Sequence, residues 1–315
     1  MARASKAKAS KLKATKSNQS GAKSARLRAG KITRVRAGVI AFQGVLGAYS
    51  HLACTSAYKG MRAMACQTFD DCFAAVAAGK ADLAMIPIEN SVAGRVADIH
   101  HLLPDSGLFI VAEHFQRVRH CLLAPHGAKL SGIKRVYSHV QALSQCRRII
   151  RDLKLEAVAR ADTAGAAKEI ALRGDVREAA IASELAGKIY HLAVLRDRVE
   201  DAVGNTTRFV VMSRRRQDPD PRSGPCLTSF VFQVRSIPAA LYKAMGGFAT
   251  NGVNLAKLES YVEDNSFQVA QFYAEIEGHP ADRAVDRAFE ELKFFSSRFK
   301  VLGVFPSADF RRRPR

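Results

Sequence analysis

No stretch of this sequence approaches the roughly 20 uninterrupted apolar residues that a membrane-spanning helix needs, because charged residues and glycines interrupt every apolar run. A transmembrane protein is therefore excluded. The 315 residues include only six cysteines, without a Cys-x-x-Cys pair or a His/Cys spacing typical of metal ligands. A chain of this length does not depend on disulfides. We expect reduced thiols in a cytoplasmic protein, without membrane contact and without a zinc site.

Acidic residues are absent from the start of the chain, and the first is Asp70. Residues 1–36 carry 12 Lys or Arg and almost no large apolar side chain, so we predict a disordered basic tail. Four arginines in the basic C-terminal tail, 307–315, add to this charge. Subtracting 12 and four from the net charge of +20 leaves about +4 for the body. Charge therefore indicates nucleic-acid contact by the N-terminal tail at most, and an organelle-targeting segment is the alternative.

The body has the composition of a globular protein, with 48% hydrophobic and 25% charged residues. Predicted strands and helices alternate over about 175 residues, which is typical of an α/β fold with a mostly parallel sheet. The predicted strands are 39–42, 82–88, 108–112, 121–124, 136–138, 179–182 and 207–213, and the predicted helices are 50–58, 68–79, 141–153 and 162–172. We expect two lobes with a cleft between them.

A Gly-x-x-Gly loop, Gly44 to Gly47, follows the first strand and precedes a helix. Backbone N–H groups in such a loop suit a carboxylate or a phosphate. A tight turn without a ligand explains the same pattern. Polar residues Glu89, Asn90 and Ser91 follow a buried strand, at the sheet edge where open α/β folds bind ligands.

Residues 214–226 are charged and rich in proline and glycine, which is typical of a linker. From 227 to 306 the pattern is strand, helix, strand, strand, helix, strand, the order of a ferredoxin-like βαββαβ module. A catalytic α/β body followed by such a module indicates a small-molecule enzyme with a regulatory domain.

Four motifs occur in the order and spacing found in prephenate dehydratases. They are Phe42 to Ser50 (FQGVLGAYS), Pro87 to Ser91 (PIENS) with Gly94, Ser138 to Ala142 (SHVQA) with Gln145-Cys146, and Asn205 to Phe209 (NTTRF). The C-terminal module similarly resembles the ACT domain of that family, and the resemblance covers about 39–306. It implies a catalytic domain at 37–213 with two lobes resembling a periplasmic binding protein, lobe 2 spanning about 115–188.

The resemblance implies a carbon-oxygen lyase that converts prephenate to phenylpyruvate, with loss of CO2 and water, in phenylalanine biosynthesis. Aromatisation favours decarboxylation, so the main help needed is a hydrogen-bond donor to the leaving hydroxyl, without metal or cofactor. By resemblance this donor is Thr207, and Arg208 pairs with a substrate carboxylate. The other implied catalytic residues are Glu89, Asn90, Ser138 and Gln145, and the implied substrate-binding residues are Gly47, Ala48, Tyr49, Ser50, Ser91, Thr206 and Phe209.

Each of these residues also has a structural interpretation. Thr207 could simply start a strand, Asn90-Ser91 could form a turn, and Ser138 could cap a helix. Phe209 suits the pocket wall or the core. We do not select His100, His101, His139 or His191 as acid–base groups, because no nucleophile motif accompanies them.

The ACT resemblance implies pairing between chains, as a homodimer or homotetramer, and feedback inhibition by phenylalanine. The implied effector-binding residues are Ala239, Ala240, Leu241, Asn251, Asn254, Leu255, Glu259 and Ser260. Two departures weaken this expectation: Ala239 stands where we expect glycine, and Tyr261-Val262 replaces Arg-Pro. Alanine lacks the conformational range of glycine, and a missing arginine removes a charged fork for the effector carboxylate.

Three alternatives stay open from the sequence. An arogenate dehydratase would use the same chemistry on a substrate with an ammonium group, which an acidic residue in the pocket would favour. A non-catalytic amino-acid sensor would keep the cleft and the ACT module but would not need Thr207. A nucleic-acid-binding protein is indicated by the charge of the tails alone.

Overall fold

A computed structural model describes residues 38–235, 237–262 and 270–312. In this part of the chain the backbone forms three separate β-sheets with helices packed against them. None of the described helices is long and apolar enough to cross a membrane. The predicted disordered tail at 1–36 and the last three residues of the predicted C-terminal tail lie outside the described residues.

Strands and helices alternate up to residue 213, as the sequence predicts. In chain order they are β1 (Val39–Gln43), α1 (Tyr49–Ala57), β2 (Arg62–Cys66), α2 (Phe69–Ala77), β3 (Leu83–Asn90), β4 (Gly94–Arg95), α3 (Ala97–Leu102), β5 (Phe109–Arg117), β6 (Cys121–Ala124), β7 (Arg135–His139), α4 (Val140–Ser144), α5 (Arg147–Asp152), β8 (Glu156–Arg160), α6 (Thr163–Arg173), β9 (Glu178–Ala182), α7 (Glu184–Ile189), β10 (Ala193–Arg196) and β11 (Thr206–Ser213). Our predictions from the sequence miss β2, β8 and β10, which are short sheet-edge strands with partly exposed side chains.

Lobe 1 is built on a sheet with the strand order β2-β1-β3-β11-β5. The three strands from the start of the chain are parallel, whereas β11 is antiparallel to both β3 and β5. The expectation of a mostly parallel sheet is correct for β9, β7 and β8 of lobe 2 but, in lobe 1, only for β2, β1 and β3. The reason is that β11 returns from lobe 2 and inserts between β3 and β5.

Lobe 2 has the strand order β10-β6-β9-β7-β8. Its first strand starts at Cys121 and its last strand ends at Arg196, which corrects the predicted bounds of about 115–188. Two segments, 118–120 and 197–205, connect the lobes. They run side by side, since Val118 donates its N–H to the carbonyl oxygen of Asn205 (2.9 Å) and Val199 donates to that of His120 (2.9 Å).

Helix boundaries follow their capping residues. Thr68 and Asp71 form a reciprocal capping box that starts α2, and Asp162 accepts the N–H of Gly165 (2.6 Å) at the start of α6. The single helix predicted at 141–153 is wrong, because the chain breaks it into α4 and α5. Asp201, from the second connection between the lobes, accepts the N–H groups of Arg147 and Arg148 and thereby starts α5 as a separate helix.

The C-terminal module has the predicted βαββαβ order. Its elements are β12 (Cys226–Val234), α8 (Ala240–Thr250), β13 (Leu255–Val262), β14 (Ala270–Glu277), α9 (Arg283–Phe295) and β15 (Ser296–Pro306). The antiparallel strand order β13-β14-β12-β15 is that of a ferredoxin-like fold. Phe230 and Phe232 of β12 face α8 and α9, in a core that includes Phe248 and Phe289.

The opposite face of the module's sheet packs against lobe 1. Side chains alternate along a strand, so Leu227 and Val231 of β12 point away from Phe230. They join a hydrophobic core that also contains Ile86 of β3 and Val210 of β11. Lobe 1 and the module therefore share one core, although a linker separates them in the sequence.

Two further contacts fix this packing. A Cβ atom on Gly303 of β15 would lie 2.0 Å from the carbonyl oxygen of Ile110 in β5, so only glycine permits the approach of these strands. Residues 309–312 form a 3-10 turn in which Phe310 stacks on Phe115 of lobe 1, with ring centroids 4.4 Å apart. The predicted tail at 307–315 is thus packed on the body as far as Arg312, which corrects that expectation.

Candidate active site

A cavity of about 890 Å³ lies between lobe 1 and lobe 2. Lobe 1 contributes the carboxyl ends of β1 and β3, with Gln43 and Asn90, together with Thr207 of β11. Lobe 2 contributes residues of α4 and α6, and both connections between the lobes reach its wall. The position agrees with the cleft predicted at the strand ends.

Six of the predicted site residues line this cavity. They are Ala48, Tyr49, Ser50, Asn90, Gln145 and Thr207. They come from four distant segments of the chain, so the fold brings together what the four motifs indicate separately.

Thr207 lies opposite Asn90 in the β3–β11 pair. Asn90 Oδ1 accepts the backbone N–H groups of Val92 (3.0 Å) and Ala93 (2.8 Å), which can only donate. The Asn90 Nδ2 group therefore faces Thr207 and donates to its Oγ1 (2.9 Å). Because the Thr207 hydroxyl oxygen accepts this bond, its hydrogen is free to be donated into the cavity.

The N-terminus of α1 opens onto the same cavity. The first intrahelical bond runs from the N–H of Leu52 to the carbonyl oxygen of Ala48 (3.0 Å), and Ala48 has no side-chain cap. The N–H groups of Tyr49, Ser50 and His51 therefore have no acceptor within the helix. Such an end attracts a carboxylate through its N–H groups and its dipole.

Gly47 does not line the cavity, which corrects its predicted role in substrate binding. Its carbonyl oxygen accepts from Ser183 Oγ of lobe 2 (2.6 Å). With φ at +90°, it approaches so closely that a Cβ atom there would lie 2.8 Å from Ala186 Cα. The glycine loop thus joins the two lobes at this side of the cleft.

Arg208 is also displaced from its predicted role. Adjacent residues of a strand face opposite sides of the sheet, so Arg208 points away from the cleft that Thr207 faces. Its side chain is 2% exposed and is held by three carboxylates: Glu113 (2.8 Å), Glu89 (3.1 Å) and Glu275 of the module (2.8 Å). A substrate carboxylate does not reach it, and the predicted pairing is wrong.

Two more cations complete this ion cluster. Lys257 of β13 lies 2.6 Å from Glu89, and Arg311 of the C-terminal turn lies 2.9 Å from Glu113. Although burial by itself would raise the pKa of Glu275, Arg208 lowers it below its ordinary value. Burial likewise opposes the charge of Arg208, but Glu275 and other partners raise its pKa. Lys257 also pairs with Glu259 (3.1 Å), so the cluster joins lobe 1 to the module through several acid–base pairs.

Glu89 belongs to this cluster rather than to the cleft. Burial alone would raise its pKa, but hydrogen bonds and attraction from Lys257 and Arg208 lower it, so the carboxylate is ionised. Glu89 adjoins Asn90 on β3 and therefore faces the opposite side of the sheet, together with Arg208. This corrects the prediction that Glu89 lines the cleft.

Four other predicted residues have structural roles outside the cavity. Ser138 is fully buried and donates to the carbonyl oxygen of Ile181 (2.6 Å), and Phe209 is 1% exposed in the core of lobe 1. Ser91 Oγ accepts the N–H of Thr206 (3.0 Å), and the Thr206 hydroxyl donates to the carbonyl oxygen of Gly204 (2.9 Å). These contacts correct the cleft-lining roles expected of them.

The cavity also contains residues that the sequence analysis does not select. His120 and Asn205 reach it from the two connections between the lobes, and Asp162 and Lys168 reach it from α6 and its cap. His139, not selected as an acid–base group, lines it and caps α4 by accepting the N–H of Gln141 (3.3 Å). Asn205 is the first residue of the NTTRF motif, so this motif already indicates that it belongs to the cleft. Nothing in the local sequence distinguishes His120 or Lys168.

The predicted effector residues lie in the module. Ala239 has φ at +57°, in the left-handed region that favours glycine, and precedes Ala240 and Leu241 at the start of α8. At the end of α8, Asn251 donates to the carbonyl oxygen of Gly247 (2.8 Å), and the carbonyl oxygen of Asn254 accepts the N–H of Glu277 (3.0 Å).

The other predicted effector residues lie on β13. Leu255 pairs with Ile276 of β14. Glu259 accepts from Lys257 (3.1 Å), and the carbonyl oxygen of Ser260 accepts from Arg95 of lobe 1 (2.9 Å). The β13 segment is thus in direct contact with lobe 1.

Comparison with known proteins identifies the family of this chain. The family model described as prephenate dehydratase matches residues 40–217. The chain belongs to the prephenate dehydratase family. Its members are lyases of aromatic amino acid biosynthesis, and the matched residues contain every predicted catalytic residue.

Relatives of this prephenate dehydratase family member cover most of its length. A bifunctional N-acyl-homoserine lactone acylase/prephenate dehydratase of Komagataeibacter europaeus is 50% identical over 276 residues, which are 88% of this chain and 98% of that protein. Arogenate dehydratase/prephenate dehydratase 2 of Arabidopsis thaliana, a chloroplastic protein, is 38% identical over 87% of this chain and 73% of its own length.

A solved structure shares the fold. Prephenate dehydratase from Arthrobacter aurescens, in complex with L-Phe, is 30% identical and superimposes with a TM-score of 0.78, covering 88% of this chain and 92% of that one. The mixed α/β fold and its periplasmic-binding-protein-like lobes are therefore those of prephenate dehydratases.

We predict that Arg208→Met destabilises the protein strongly. Removing the central cation leaves buried carboxylates without a partner, which costs about 3 to 5 kcal/mol. The matched control is Arg216→Met, which breaks a half-exposed pair with Asp218 and costs at most about 1 kcal/mol. Urea unfolding of both variants measures the free energies. Equal losses in the two variants would contradict the proposed importance of the cluster.

Proposed function

We propose that Thr207 donates its hydroxyl hydrogen to the leaving ring hydroxyl of prephenate. As the bond from the ring to the carboxylate breaks, its electron pair moves into the ring and the carbon–oxygen bond breaks. The departing hydroxide takes the Thr207 proton and leaves as water, and a solvent water returns a proton to the Thr207 oxygen. A donor aimed at the leaving oxygen stabilises the charge that develops on it. The supporting observation is the Asn90 Nδ2 contact, which occupies the acceptor side of the Thr207 hydroxyl.

The two substrate carboxylates need partners other than Arg208. We assign one to the free N–H groups of Tyr49 and Ser50 at the start of α1, as the glycine loop predicts. The other is assigned to Lys168, since it is the one Lys or Arg among the described residues that line the cavity. No ion pair of its ammonium is found within the described part of the chain, so it is available to an anion.

We predict that Thr207→Val lowers kcat for phenylpyruvate formation from prephenate about 100- to 1,000-fold, because valine keeps the shape but removes the donor. Purified variant and wild-type proteins are compared by the absorbance of phenylpyruvate. The matched control is Thr206→Val at the neighbouring position, whose hydroxyl bonds Gly204 outside the cleft. That control should retain most of the activity, and a wild-type kcat in Thr207→Val would contradict the donor role.

A second substrate belongs in the same assay. Asp162 is the one acidic side chain among the described cavity-lining residues, and an acid there favours the ammonium group of arogenate. Its Oδ1 already caps α6, which argues for prephenate as the main substrate. A higher kcat/KM for arogenate than for prephenate would assign the substrate preference to arogenate and keep the mechanism. No turnover of either substrate would support the sensor alternative.

The size of the cavity favours a second candidate activity. At about 890 Å³ it is near the upper end of small-molecule pockets, and Val45, Leu46 and Val96 contribute apolar wall. An acyl chain is a suitable occupant, and the relative from Komagataeibacter europaeus is named as an N-acyl-homoserine lactone acylase as well as a dehydratase. Release of homoserine lactone from a long-chain N-acyl-homoserine lactone, followed by mass spectrometry, tests this activity.

We predict that Lys168→Gln raises KM for prephenate about 10-fold with little change in kcat, because the ammonium binds the carboxylate in the ground state and the transition state alike. Lys188→Gln is the matched control on lobe 2, since Lys188 pairs with Glu184 at the surface. Steady-state kinetics at low and high salt measure the effect. An unchanged KM for Lys168→Gln would remove this residue from the substrate site.

We further propose that residues 37–213 form the catalytic domain and 227–306 an ACT regulatory domain that binds L-phenylalanine in a homodimer or homotetramer. The ferredoxin-like strand order supports the ACT assignment, and the relative from Arthrobacter aurescens was solved with L-Phe. The six cysteines are all free, as in a reducing cytoplasm, which is the location that we propose.

We predict that L-phenylalanine lowers kcat/KM and raises Tm, and that Ala239→Gly lowers the phenylalanine concentration needed for half of the effect. The positive φ of Ala239 strains an alanine but not a glycine, so the loop adapts to a ligand more easily in the variant. Rates, melting curves and light scattering are followed during the titration. No response of rate, Tm or oligomeric state in either protein would refute phenylalanine regulation.

A further inference from the structure

A chain of side-chain hydrogen bonds crosses the cleft from lobe 1 to lobe 2. It starts at Asn90, whose orientation is fixed by two backbone N–H groups, as described above. Asn90 Nδ2 then donates to Asn205 Oδ1 (2.7 Å) as well as to Thr207. Asn205 is 3% exposed and lies on the connection between the lobes, and both ends of its amide are bonded to half-buried side chains, Asn90 and Gln145.

The direction of the chain continues into lobe 2. Because Asn205 presents its oxygen to Asn90, it presents its Nδ2 group to Gln145 and donates to Oε1 (2.6 Å). The Oε1 atom of Gln145 thus faces the lobe connection. Its Nε2 group faces the other way, and Gln145 lines the cavity. No acceptor for this Nε2 group is found among the described residues, so its two hydrogens are available to a ligand.

His120 and Tyr49 extend the chain. His120 Nε2 lies 3.3 Å from Gln145 Oε1, an acceptor, so Nε2 carries the hydrogen. Burial lowers the pKa of His120, which keeps the ring neutral. Its Nδ1 atom therefore accepts from the Tyr49 hydroxyl (2.9 Å), which also lies 2.8 Å from the carbonyl oxygen of Arg119. The Tyr49 hydroxyl can donate to either acceptor. A turned Gln145 amide would therefore reverse the hydrogen bonds that His120 makes with Gln145 and Tyr49.

We propose that Asn205 is a positioning residue that turns the Gln145 amide so that its N–H2 group, rather than its oxygen, faces the anionic substrate. The inference rests on the proposed reaction in this cleft. An acceptor in that place would repel a carboxylate or the departing oxygen, whereas the donor attracts either one. Asn205 acts through Gln145 and does not itself contact the reacting atoms.

The variant Asn205→Asp tests this role with almost no change in shape. At pH 8 an ionised carboxylate still accepts from Asn90 but cannot donate to Gln145. Gln145 must then turn its Nε2 group toward position 205 and its oxygen toward the cavity. His120 Nε2 consequently faces a donor, and the ring hydrogen moves to Nδ1, from which it bonds the Tyr49 oxygen while Tyr49 donates to Arg119.

The readout is the tautomer of His120, measured by 15N NMR of histidine-labelled protein and assigned with His120→Gln. We expect the Nε2–H form in the wild type and the Nδ1–H form in Asn205→Asp, together with a loss of kcat/KM for prephenate of about 10-fold or more. The contrasting variant is Gln145→Glu, which keeps both acceptor contacts and removes the donor to the substrate. It should lose activity while His120 keeps the Nε2–H form.

Each outcome decides the proposal. An Nδ1–H tautomer in the wild type would overturn the direction of the chain, even if Asn205→Asp does not fold. A folded Asn205→Asp protein with the Nε2–H tautomer or with full activity would overturn the positioning role. Failure of the donor role would show separately, as retained activity in Thr207→Val with an unchanged His120 tautomer.

Discussion

The guanidinium of Arg208 is the centre on which both the site and the module depend. Three glutamates from three strands surround it, and two of those carboxylates are fully buried. Burying such charges is costly unless every one has a partner, so the cluster exists only when lobe 1, the module and the C-terminal turn are all in place. Strands β3 and β11, which carry Glu89 and Arg208, present Asn90 and Thr207 on the opposite face of the sheet. The packing of the module and the geometry of the cleft therefore both depend on the β3–β11 pair.

The motifs in the sequence predict the cleft better than they predict individual roles. Asn90, Gln145 and Thr207 meet in one cavity, as expected. Arg208 and Glu89 do not, although they adjoin the correct residues, because a motif identifies a segment whereas strand alternation decides which side chain faces the ligand. The three partners of Arg208 lie 95, 119 and 67 residues away in the sequence. No local sequence pattern indicates that glutamates surround Arg208 in the folded chain.

Other features depend on contacts that a sequence pattern does not contain. The break between α4 and α5 is set by Asp201, which arrives from the second lobe connection. The edge strands β2, β8 and β10 are short and only partly buried, and their pairing with a distant strand is what makes them strands. By contrast, the βαββαβ order is predictable, since strand β12 alternates between the module core and the core shared with lobe 1. A strand that is buried on both faces has a nearly continuous apolar run, which is readily identified in the sequence.

The shared core has a consequence for how this protein can be divided. A chain ending at residue 213 would contain the whole matched cleft, yet it would expose Ile86, Val210 and their neighbours to water. It would also leave the charge of Glu113 without Arg311. Such a fragment is unsuited to independent folding, so the module is not a detachable attachment. Removal of the module would therefore destabilise lobe 1 even though every residue that lines the cleft would be retained.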